Sequence, residues 1–81
     1  MITIRNRHHA AQLFGYLRQT QRLTRRELAG RLFVTPKTVA NREIGVGGIN
    51  TDVLIDTARA LGYRVALIRD DRRETGTGWP A

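Results

Sequence analysis

The sequence predicts a small, mainly α-helical domain of four to five helices with a C-terminal β-strand. Three observations predict it. Apolar residues recur at helical spacing ahead of Gln21, around Leu28 and between Leu54 and Leu61. Residues suited to capping a helix start, Thr24, Thr35 and Asn50 or Thr51, stand before three of the stretches. After Gly62 the period changes, and "YRVALIR" sets Tyr63, Val65 and Leu67 against Arg64, Ala66 and Ile68, the alternation of a strand.

The elements follow in order. In "MITIR", Ile2 and Ile4 share one side, so residues 1–6 read as a short strand or an ordered arm. Ala10, Leu13, Phe14 and Leu17 then fall at i, i+3, i+4 and i+7, the buried stripe of a first helix from about His8 to Gln21. His8 and His9 are adjacent and therefore point to different sides. With no other histidine and no cysteine in the chain, they read as solvent-facing residues, and no metal site or cofactor is expected. Thr24 and Glu27 have capping-box spacing at the start of a second helix, whose stripe is Leu28, Ala29 and Leu32. Phe33 and Val34 close it. Thr35 caps a third helix over 35–43, with Pro36 at the position where no N–H is needed. So short a connection makes the two helices cross sharply, as in a helix-turn-helix.

"TPKTVANRE" has only Val39 and Ala40 to bury. A short helix gains most of its stability by burying a face, so this one must be held by its neighbours. Its long polar face therefore asks for a use. Beyond it, the glycines of "IGVGG" make a loop, and Asn50 or Thr51 caps a fourth helix, with Asp52 near its positive end. Leu54, Ile55, Ala58 and Leu61 form its apolar face, and Gly62 stops it. The domain thus spans 1–62. Residues 63–69 form a strand that needs a partner, either Ile2–Ile4 or the same strand of a second copy. The last twelve residues, 70–81, are charged and glycine-rich and read as a mobile tail.

Charge narrows the function. The 81 residues hold 14 basic and 7 acidic side chains, a net charge of +7. Residues 1–45 carry nine basic against two acidic residues, while 46–81 carry five of each. The whole excess lies in the helical first half, the footprint of a polyanion binder. No apolar run reaches membrane-spanning length and the first residues lack a signal-peptide stretch, so an intracellular domain is expected. No carboxylate pair, cysteine or histidine stands in a catalytic pattern, which argues against an enzyme. An aromatic platform for single-stranded RNA is missing as well.

"LTRRELAGRLFVTPKTVANREIG" followed by "DVLIDTARALG" resembles the Cro/C1-type helix-turn-helix family, which includes phage repressors and xenobiotic-response-element regulators. The resemblance covers roughly Leu13 to Gly62. It implies a lambda-repressor-like fold in which Ala29 lets two helices approach, Val39 anchors the third helix, and Glu43 pairs with Arg18. The third helix is then the recognition helix, with Pro36, Lys37, Thr38 and Asn41 reading bases. Lysine can donate to guanine O6 and N7, asparagine can pair with adenine N6 and N7, and a proline ring can lie against a thymine methyl. Arg42 reads a base or touches phosphate. Arg25 or Arg26, with Arg25 favoured at the start of the second helix, is expected on phosphate, joined by Thr24, Thr35 and Asn50. Two departures stand out: Phe33 where the family often has glycine, and Arg42 where it usually has an apolar or aromatic residue.

The resemblance further implies a bacterial or phage transcriptional repressor, cytoplasmic and nucleoid-associated, that binds double-stranded DNA as a homodimer. Tyr63, Val65 and Leu67 are the expected dimer contacts. A second expectation is an antitoxin, which holds a toxin protein through the C-terminal tail and its Trp79 and represses its own promoter.

Overall fold

The computed structural model describes residues 1–69. The tail expected over 70–81, with Trp79, lies outside the described residues. Four helices follow one another: α1 (Arg7–Thr20), α2 (Arg25–Leu32), α3 (Pro36–Glu43) and α4 (Thr51–Ala60).

Each helix begins at a side chain that satisfies an otherwise orphaned N–H. Asn6 accepts from His9, Thr24 from Glu27, Thr35 from Thr38 and Asn50 from Val53. At Thr24 the capping box is complete, because its own N–H donates to Glu27 Oε1 at 2.9 Å. α2 ends at Phe33, whose φ of +57° and ψ of 41° put it in the left-handed region. Val34 N–H then donates back to Ala29 at 3.0 Å, and the chain turns directly into the Thr35 cap. A side chain in this conformation costs roughly 1–2 kcal/mol, which is why glycine is the usual occupant.

Phe14, Leu17, Leu28, Ala29, Val39 and Leu61 form one buried cluster, with Leu13, Leu32, Val34 and Leu54 packed around it. All four helices contribute to this cluster or its surround, and α2 packs on both α3 and α4. Each fully buried leucine or phenylalanine contributes about 2 kcal/mol by leaving water. The C-terminal end of α4 is tied down from two sides. Gln21 Nε2 donates to the Leu61 carbonyl at 2.7 Å and Arg31 Nη1 to the Ala60 carbonyl at 3.0 Å. These bonds satisfy carbonyls left free at the helix end and place a cation at its negative pole.

Two expectations need correction. Ile55 is exposed, and Thr57 is buried in its place. The stripe of α4 runs 54, 57, 58, 61, the i, i+3, i+4, i+7 set, so it passes through the threonine and leaves Ile55 on the flank. The strand predicted over 63–69 does not form among the described residues; that segment is irregular, as are residues 1–5. No backbone bond joins the two described segments. Alternation marks a segment able to pair, but a strand exists only once another backbone supplies the bonds. No described helix is long and apolar enough to cross a membrane.

Candidate nucleic-acid interface

The position of α3 is set by a charged cluster at its last residue. Glu43 is buried, and so is Arg18 of α1. Arg18 Nε donates to Glu43 Oε2 at 2.6 Å, and its Nη2 donates to Oε1 at 3.2 Å. Its Nη1 donates to the Leu23 carbonyl at 2.8 Å. Arg25 of α2 adds a bond from Nε to Glu43 Oε1 at 3.1 Å. One carboxylate thus binds α1, α2 and α3 together, with its charge matched twice over. α1 passes close by at Gly15, where an added Cβ would stand 3.5 Å from the Glu43 carboxylate.

The predicted base readers fall in two groups. Pro36 and Lys37 are exposed at the N-terminal end of α3, while Thr38, Asn41 and Arg42 are half-buried along it. The Thr38 hydroxyl lies 2.9 Å from the Thr35 hydroxyl, so both take part in the cap. Val39, between the readers, is buried and holds the opposite face on the core. Pro36 and Lys37 alone among the predicted readers are exposed, and the other three are covered in part.

The predicted phosphate contacts are more scattered. Thr24, Thr35 and Asn50 each spend a side-chain oxygen on a helix cap. Arg25 gives its Nε to Glu43, with the side chain about half exposed (49%). Arg26, beside it, is exposed. The Arg25–Glu43 bond was not legible from spacing, since the two residues lie on different helices and meet only through the fold.

Two of the predicted dimer residues line a groove to which no residue of α3 contributes. Tyr63 and Val65 line an apolar groove of about 640 Å³, bordered by Ile2, Ile4, Leu13 and Leu54. The arm and the 63–69 segment therefore flank one groove without bonding to each other. Leu67 is outside the groove lining and fully exposed.

No protein-family model matches this chain, and a search of curated proteins finds no significant match.

Proposed function

We propose that the chain is a sequence-specific double-stranded DNA-binding regulator, a phage or bacterial repressor that binds a pseudo-palindromic operator as a dimer. The observation that carries this reading is α3 itself: eight residues clamped at Glu43 by two other helices, with Pro36 and Lys37 free at its far end. A helix of this length spans about 12 Å, enough for one end to enter a major groove while the other stays anchored in the protein. The charge excess of residues 1–45 supports it, because those residues build α1, α2 and α3.

In this reading Lys37 and Asn41 read bases one turn apart, and Arg42 reads a base or touches phosphate. Arg26 and the outer nitrogens of Arg25 neutralise phosphates, while Arg18 and Glu43 only hold the helix in place. A single module discriminates too few base pairs to find one site, so two copies are required, with half-sites about one helical turn apart. The groove between the arm and residues 63–69, with fully exposed Leu67 beside it, supports pairing of 63–69 across a two-fold axis. The second reading is an antitoxin that holds a toxin protein through the C-terminal tail; the exposed apolar Leu67 and Ile68, just before that tail, favour it.

The test is selection of bound duplexes from a random DNA pool, with the wild type, Asn41→Ala and Leu67→Asp in parallel. A pseudo-palindrome should be enriched. Asn41→Ala should lose about 1–3 kcal/mol of discrimination at one position of each half-site. Leu67→Asp should shift the solution mass toward monomer and weaken operator binding. A wild type that stays monomeric on operator-length DNA sinks the dimer, and binding that is weak, sequence-blind and steeply salt-dependent sinks the operator reading.

A further inference from the structure

The turn between α2 and α3 burdens the fold twice at one residue. Phe33 has a φ of +57°, where its Cβ crowds the backbone, and its side chain is 95% exposed. Glycine would remove both burdens. Among the described residues α2 does not cover the ring: Gly30, one turn earlier, is exposed and an added Cβ would meet nothing within 4 Å. Residues held in such conformations cluster at binding and active sites.

The ring's place indicates which kind of site this is. Phe33 precedes the Thr35 cap by two residues, so their Cα atoms are no more than about 7 Å apart. Thr35, Pro36 and Lys37 are all exposed, as is Arg26 on α2. Phe33 thus stands, exposed, within two residues of the cap of α3, the end assigned to the major groove. Most of a groove's edge is polar and offers a phenyl ring nothing. The 5-methyl group of thymine is the apolar exception, and phenylalanine is among the side chains suited to it.

We propose that Phe33 is a DNA-contacting, specificity-determining residue, its ring packed on a thymine methyl and the adjoining sugar at the rim of the site read by α3. This rests on the DNA-binding reading above. The left-handed backbone ends α2 and carries the chain into the Thr35 cap, and the exposed ring is presented at that turn.

The full chain, Phe33→Gly and Phe33→Asn are each melted thermally and titrated with the duplex enriched by the wild type. The titration is repeated with deoxyuridine replacing thymidine at one position at a time. Both variants suit the left-handed turn, so both should melt no lower than the wild type, and Phe33→Gly higher. Both should nevertheless bind more weakly, which loss of folding cannot explain. At one position the missing methyl should weaken wild-type binding by about fourfold, the worth of one buried methyl group, and should leave Phe33→Gly unchanged. Variants that bind as tightly as the wild type overturn the proposal, as does a set of methyl effects that survives intact in Phe33→Gly. A wild type that enriches no duplex brings down the DNA-binding reading and this inference with it; failure of the variants alone removes only the role of Phe33.

Discussion

The junction of α1, α2 and α3 and the flank formed by α4 with its neighbouring segments solve the same problem differently. At the junction the buried charges of Arg18 and Glu43 are matched, with Leu23 and Arg25 completing the set. On the α4 side the Thr57 hydroxyl is buried with no partner, and Tyr63, Val65, Leu67 and Ile68 stand exposed around a groove. One region is fully paired; the other holds, among the described residues, an unpaired buried hydroxyl and a set of exposed apolar side chains. The first arrangement fits the proposed presentation of α3 at a fixed angle, and the exposed apolar side chains of the second fit the proposed pairing of two copies.

The comparison breaks most sharply at Glu43. Glu43→Ala leaves the Arg18 guanidinium buried without its carboxylate and should cost about 3–5 kcal/mol, a large share of the ~5–15 kcal/mol that holds a domain folded. Denaturant unfolding followed by circular dichroism would read it. Arg25→Ala, which removes the half-exposed partner, should cost less than about 1 kcal/mol. Combining Glu43→Leu with Arg18→Met should recover most of the loss, because two apolar side chains no longer bury a lone charge. If Glu43→Ala and Arg25→Ala cost the same, the junction is not organised around the buried pair.

Thr57 tests the other side. Its hydroxyl is lost to water on folding and regains no partner among the described residues. Thr57→Val keeps the shape and removes the unmet group, so it should stabilise the protein by about 1 kcal/mol, a rise in melting temperature of several degrees. A destabilised Thr57→Val would mean that the hydroxyl bonds a group or a water in solution, and the contrast between the two regions would narrow.

What could be read beforehand divides along the same line. The caps at Thr24 and Thr35 were legible, and the fourth was narrowed to Asn50 or Thr51, because a cap is chemistry over four consecutive residues. The stripes of α1 and α2 were legible because helical periodicity needs no knowledge of the partner. Arg18 opposite Glu43 came only from resemblance; no spacing within one helix connects residues 25 positions apart. Arg25 on Glu43, Gln21 on Leu61 and Arg31 on Ala60 were invisible for the same reason. In α4 the apolar letters favoured Ile55, yet the geometry of the stripe chose Thr57. At 63–69 the alternation is present in the residues, but no strand forms among the described residues, because alternation shows only a capacity to pair and supplies no partner backbone.

The smallest expected effect compares two acids of the same region. Glu43 is buried between arginines, whereas Glu27 is fully exposed one turn into α2. The Thr24 backbone N–H, then its hydroxyl, and more weakly Arg31 hold the Glu27 carboxyl below its ordinary value of 4.5, against a small opposing effect of desolvation. Because the folded value is depressed, the ionised box stabilises the protein above the unfolded value, and that contribution fades as pH falls from about 4.5 through the lower folded one. Glu27→Gln should therefore lower the melting temperature slightly at neutral pH and make no difference once the acid is protonated, so the wild-type and variant curves converge at low pH. Thr24→Ala removes the reciprocal half of the box and should cost about 1 kcal/mol at neutral pH. Parallel melting curves that never converge in acid would mean that Glu27 acts through packing of its stem and not through its charge.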